Sequence, residues 1–198
     1  MSTLQLASDT LAVTPAAGQV EYNGQFYGTD SAGSRGQIER LVQGTAQAST
    51  SGTAIDFTGI PSWAKRITVM FNGVSTNGGS NVQVQIGAGS VTTSGYVGGA
   101  NVFTGAGVGT NTFTSGFVTE GTSGGITSST VRYGLVTIDL VTGNTWVASG
   151  VLQHTGTITG GSTAGSLALG GTLDRVRITT VNGTDTFDAG SINIMYEG

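Results

Sequence analysis

Ile67-Thr68-Val69-Met70-Phe71 and, after a short interval, Val82-Gln83-Val84-Gln85-Ile86 decide the fold class of this chain. In the first stretch Ile67, Val69 and Phe71 share one side of an extended backbone; in the second, Val82, Val84 and Ile86 do the same. A period of two is what a strand with one buried face requires, because successive side chains leave opposite faces. Asn77-Gly78-Gly79 is predicted to be the turn that joins the two runs. Further along, Leu135–Val141 and Thr145–Leu152 flank Thr142-Gly143-Asn144 as a hairpin, and Val176, Ile178, Thr180 pair with Ile192, Ile194, Tyr196 across residues 182–190. No long apolar pattern of helical period occurs. Residues 51–198 are therefore predicted to form an all-β domain, an antiparallel jelly-roll β-sandwich.

Composition narrows the function. The chain has 35 Gly among 198 residues and only 9% charged residues, against roughly 25% in ordinary domains. Its surface is then covered by Ser, Thr, Asn, Gln and backbone, which cost less to desolvate than ions. Such a surface suits tight association and contact with neutral polar ligands such as sugars. A net charge of −4 argues against nucleic acid as a partner. With no Cys there is no disulfide or thiolate chemistry. No apolar run is long enough to insert in a membrane. Residues 1–18 show no signal-peptide pattern, so a role outside a cell implies release by another route such as lysis.

Residues 1–50 read differently, as a slim N-terminal segment. Asn23-Gly24 between Val20–Tyr22 and Phe26-Tyr27 predicts a two-residue type I′ hairpin. Residues 31–36 are a loop carrying Arg35, and residues 37–48 are a short helix or an extended stem. Apolar residues here are too few for a core of their own. The segment is expected to attach and oligomerise the protein through Tyr22, Phe26, Tyr27 and Arg35; the alternative is a docked N-terminal strand. Residues 87–130, rich in Gly, Ser, Thr and Asn, are predicted to be part strand and part end loops.

The chain offers little to catalysis. His154 stands alone, without the partners of a zinc site, and reads as a loop or interface residue. Gly121-Thr122-Ser123-Gly124-Gly125 fits G-x-S-x-G, but no helix pattern follows, as a nucleophile elbow needs. Gly105-Ala106-Gly107-Val108-Gly109 likewise precedes no helix and is no phosphate loop. Asp185 and Asp188 are expected to cap turns rather than hold calcium. Glu120 is the one acid in the long loop tract and lacks a sequence-near partner for glycoside hydrolysis. The expectation is a protein that is not an enzyme and uses no metal or cofactor. Trp63 and Trp146 are expected in the core. For Tyr96, one reading packs it inside with Phe103, Phe113 and Phe117. The other puts it on the loop surface, stacked on a sugar ring whose hydroxyls bond to Asn101 and Asn111.

Some phrases carry a family likeness. Gly18-Gln19-Val20-Glu21-Tyr22-Asn23-Gly24, Phe26-Tyr27-Gly28-Thr29 and Ser34-Arg35-Gly36 resemble a short module of tailed-bacteriophage fibre and virion proteins. Phe57-Thr58-Gly59-Ile60-Pro61-Ser62-Trp63 through Val69, and Leu173-Asp174-Arg175-Val176-Arg177-Ile178 through Asn193, resemble the C-terminal domain of phage tail fibres. The resemblance implies a homotrimeric virion protein with a β-sandwich head and a slim attachment part. It implies recognition of the host surface, through a glycan or an outer-membrane protein, and contact with tail, baseplate or capsid proteins. Two other roles are a head fibre or capsid decoration protein, and a depolymerase acting through Glu120 or Asp188.

Overall fold

The computed structural model describes residues 10–122, 126–155 and 158–198. The chain divides into two compact units, Met1–Leu41 and Val42–Gly198.

The N-terminal unit is a three-stranded antiparallel sheet in the order β1 (Val20–Tyr22), β2 (Phe26–Thr29), β3 (Arg35–Gln37). Tyr22 faces Phe26, so the connection is the three residues Asn23-Gly24-Gln25 rather than a two-residue type I′ turn. A type I′ turn needs positive φ at both central positions; here Gly24 has φ +97° and, among the described residues, none other than glycine has positive φ. Residues 37–48 hold no helix. They run extended through β4 (Leu41–Gln43) and β5 (Gln47–Ala48).

The boundary between units falls at Leu41 rather than at 50, because the following residues are sewn into the sandwich. The Gly44 amide donates to the Ile194 carbonyl at 2.8 Å and the Ser49 amide to the Gly190 carbonyl at 3.0 Å.

The C-terminal unit is all-β, as predicted. Its remaining strands are β6 (Ala54–Thr58), β7 (Arg66–Thr76), β8 (Val82–Ala88), β9 (Ser90–Val91), β10 (Val97–Thr104) and β11 (Gly107–Phe113). They continue with β12 (Phe117–Val118), β13 (Val131–Thr142), β14 (Thr145–Thr155), β15 (Ile158–Ala168), β16 (Arg175–Thr180) and β17 (Phe187–Glu197). A nine-stranded sheet runs β11-β10-β15-β14-β13-β7-β17-β4, with β5 also on β17. A five-stranded sheet runs β12-β8-β16-β6, with β9 on β8. The pairings among β5 to β17 are antiparallel. The two sheets of this β-sandwich are unequal, and β13, β14 and β15 form a plain meander in the larger.

The alternation read from sequence sets the core. Ile67, Val69, Val136, Ile138, Leu152, Ile192 and Ile194 bury one side of the larger sheet, and Val82, Val84, Ile86, Val176 and Ile178 one side of the smaller. Fully burying each such side chain contributes about 1.5–3 kcal/mol. Trp146 is buried, and Trp63 packs at the core edge with its ring 5.5 Å from that of Tyr196. The β13–β14 hairpin forms at Gly143, whose φ is +55°.

Two predicted hairpins are instead arches. β7 and β8 lie in different sheets, as do β16 and β17. The two arches lie side by side. The Asn77 amide donates to the Thr186 carbonyl (2.9 Å), the Thr186 amide to Asn77 Oδ1 (2.9 Å), and the Ser80 amide to Asp185 Oδ2 (2.9 Å). Asn182 Nδ2 donates to Asp185 Oδ1 at 2.7 Å, so Asp185 caps the turn as expected. A Cβ on Gly78 would overlap the Asp185 carboxylate, which explains glycine there.

Candidate ligand-binding groove

Strand alternation turns Gln83 and Gln85 of β8, and Arg177 and Thr179 of β16, away from the core onto the outer face of the five-stranded sheet. The register sets Gln83 beside Thr179 and Gln85 beside Arg177. A groove of about 330 Å³ opens over these four, walled by Thr93, Ser115, residues 53–54 and residues 181–183. Its floor is fixed. Gln85 Nε2 donates to the Ser115 carbonyl (2.8 Å), Ser115 Oγ to Gln83 Oε1 (2.9 Å), and Gln83 Nε2 to the Thr180 carbonyl (3.3 Å). Thr179 Oγ1 donates to the Thr53 carbonyl at 2.7 Å. Side chains already held in place lose little rotamer entropy when a ligand arrives.

Among the described residues, Arg177 is the one charged side chain lining the groove. Its Nε and Nη2 both donate to the Asp56 carboxylate at 2.7 Å, and this hydrogen bonding, with the carboxylate's charge, raises its pKa despite partial burial. The pair cancels most of its own field. The result is a neutral floor of amides and hydroxyls, with no carboxylate in the lining among the described residues, suited to hydrogen-bonding a neutral polar ligand.

The residues singled out from sequence are placed elsewhere. Tyr96 is 1% exposed and cannot stack on a sugar. Its ring meets Phe117 edge-on at 4.9 Å, and its hydroxyl accepts from the Ile86 amide (2.8 Å) and donates to the Thr92 carbonyl (3.0 Å). Burial pushes the pKa of that hydroxyl up, against the Ile86 hydrogen bond, which lowers it. Phe113 and Phe117 are buried too, while Phe103 is exposed. Asn101 and Asn111 sit on the β10–β11 hairpin but are not opposite one another. Asn101 faces Thr110 and Asn111 faces Ala100, so their side chains leave opposite faces. Asn101 Nδ2 donates to Ser162 Oγ at 3.3 Å. The three do not converge. The run at Gly105–Gly109 is the tip of this hairpin.

In the N-terminal unit Tyr22 and Phe26 meet with ring centroids 4.9 Å apart, and Tyr27 leaves the other face. Arg35 is a clasp: its Nε donates to Glu21 Oε2 at 2.8 Å and its Nη2 to the Ala12 carbonyl.

Sequence reading missed a buried ionic cluster. Glu120 and Arg132 have fully buried side chains. Arg132 Nε and Nη2 donate to Glu120 Oε1 at 3.0 and 2.8 Å, and the Val82 amide joins them at 3.2 Å. Thr119 Oγ1 donates to Glu120 Oε2. Burial alone would raise the Glu120 pKa; the charge and hydrogen bonds of Arg132, with lesser help from His154 and Thr119, outweigh it and hold the carboxyl below its ordinary value. His154 is no loop or interface residue but a buried strand residue on β14, opposite Arg132 in the ladder. Its Nε2 lies 3.8 Å from Glu120 Oε2, and neither ring nitrogen has a hydrogen-bond partner among the described residues. Burial first, opposed by Glu120 and aided by Arg132, lowers its pKa, so the imidazole is neutral at pH 7 and no ion pair forms. Glycine makes room for this cluster: a Cβ on Gly161 would lie 2.7 Å from that of Glu120.

Among the described residues no three His, Cys, Asp or Glu side chains converge to hold a metal ion. Asp188 accepts from Ser75 Oγ. Ser123, the nucleophile position of the G-x-S-x-G match, lies with Gly124 and Gly125 outside the described residues. Comparison with protein-family models, with curated proteins and with solved structures finds no match to this chain.

Proposed function

We propose that this chain is a surface protein of a tailed-phage virion that recognises the host through the groove on its five-stranded sheet and makes or breaks no bond. The ligand class is a neutral polar one, a surface glycan before an outer-membrane protein. One observation carries the reading: the two glutamine amides on the groove floor are held by fixed partners and, among the described residues, no carboxylate lines the site. Such a floor orders hydroxyl-bearing ligands and has nothing to move a proton. Each groove binds weakly, and several copies on one particle, three in a trimer, add about 10²–10⁴ in avidity.

A second reading, a head fibre or capsid decoration protein, is favoured by the outer face of the larger sheet. Val97, Leu135, Val147 and Val151 are exposed there, an apolar surface that suits contact with another protein. Gold-tagged antibody against the chain, imaged on intact virions, separates the two. Label at the tail tip supports host recognition; label on the head supports decoration; unlabelled virions overturn both.

A further inference from the structure

A β-sheet edge is a row of open N–H and C=O groups, and proteins blunt it by shortening the strand, charging it or kinking it. Of the four edges that the nine- and five-stranded sheets have among the described residues, three are blunted. β4 has three residues, β12 has two, and β6 carries Asp56 in its middle. β11 is the exception. It is the terminal strand of the nine-stranded sheet and pairs with β10 in unbroken register from Gly107 to Phe113. It contains no proline and no charge, and no Asp, Glu, Lys, Arg or His occurs anywhere between Arg66 and Glu120. Val108 is 62% exposed, and Thr110 and Thr112 are exposed on the same face. The antiparallel ladder turns every second N–H and C=O of this strand toward the open side.

We propose that β11 pairs with β11 of a second copy, antiparallel across a two-fold axis, so that two nine-stranded sheets continue as one. The strand is self-complementary about Thr110. That register sets Thr110 against Thr110 of the other copy and Val108 against its Thr112, β-branched pairs that favour cross-strand packing. It brings no like charges together, as a second copy of any charged edge would. The absence of charge equally leaves nothing with which β11 would select an acidic or basic peptide, so the best-fitting partner is the chain itself. A two-fold contact uses up both edges and stops there, where a head-to-tail contact would extend into a fibre. This pairing is separate from the ligand groove and from any three-fold association of the virion protein.

The test is the mass of the full chain in solution, by light scattering and sedimentation. The wild type is expected at an even multiple of 19.8 kDa. Thr110→Lys places two ammonium groups face to face at the axis and is expected to halve that mass without altering the circular dichroism spectrum. An equimolar mixture of Thr110→Lys and Thr110→Glu is expected to restore it. Thr112→Lys serves if the first variant folds poorly. A wild-type mass of one chain or three overturns the pairing, as does an even multiple that the lysine variants leave intact.

Discussion

The outer face of the five-stranded sheet carries Asp56, Gln83, Gln85, Arg175 and Arg177, whereas that of the nine-stranded sheet carries Val97, Phe103, Leu135, Val147 and Val151. On the larger sheet Arg66 meets Asp139 and Glu197 at 2.5 and 2.9 Å at one end, and Asp188 is exposed near the other. The inner faces are alike, Val and Ile alternating on both. The difference is therefore not a requirement of folding. A polar face with fixed amides suits a small hydrogen-bonding ligand, and a neutral face with apolar side chains suits a protein surface. The two readings of function and the proposed edge pairing follow from this division.

The likeness of the inner faces is tested by the most damaging substitutions. Ile194→Asp in the larger sheet and Ile178→Asp in the smaller each put an unpaired charge in the core, at about 3–5 kcal/mol or more, a large part of the total stability of a domain. Both are expected to abolish cooperative melting; a normal Tm in either would show that its sheet does not bury that side. Next comes Glu120→Gln, which strands the buried Arg132 and is expected to cost about 3 kcal/mol, read as a drop in the urea midpoint.

Acid is expected to act more gently and in two stages. The folded pKa of His154 lies below its unfolded value of 6.5, so the unfolded chain takes up the proton first. Stability is full above pH 6.5 and falls as the pH drops below it. Glu120 is also depressed; its contribution is present above the ordinary carboxylate range and is lost only as the pH falls through its lower folded pKa. Denaturant midpoints across this range should slope, and His154→Leu should flatten the upper part. An identical slope in the variant would contradict the assignment. Smallest of all, Asp56→Asn breaks a half-exposed ion pair and should change stability by under about 1 kcal/mol, while leaving an uncompensated Arg177 in the groove.

Strand positions and their buried sides were legible because alternation encodes them directly: Ile67, Val69 and Phe71, or Val82, Val84 and Ile86, point inward as read. Sheet membership was not. A hairpin and an arch between sheets show the same alternation on either side of the same Asn and Gly residues, so β7–β8 and β16–β17 gave no sign of which they are. What distinguishes the arch is Asp185 reaching Gly78 and Ser80 from far along the chain. The groove was half legible. Gln83 and Gln85 were visible as outward residues, but Ser115, which fixes them, comes from another strand connection. Tyr96 sat in a loop-like tract, yet its hydroxyl is satisfied internally. The ionic cluster left one usable signal: counting back from Gly143 along the predicted hairpin brings Arg132 opposite His154.

The groove, and not the apolar face, is proposed to meet the host. Thr93 is exposed at the groove wall, so Thr93→Arg blocks the opening and spares the core; Val151→Lys charges the other face at a 65% exposed position. Fluorescently labelled full-length protein of each kind would be titrated onto host cells. Saturable binding is expected of the wild type and of Val151→Lys, and its loss in Thr93→Arg. Equal binding by Thr93→Arg, or loss in Val151→Lys alone, would contradict it.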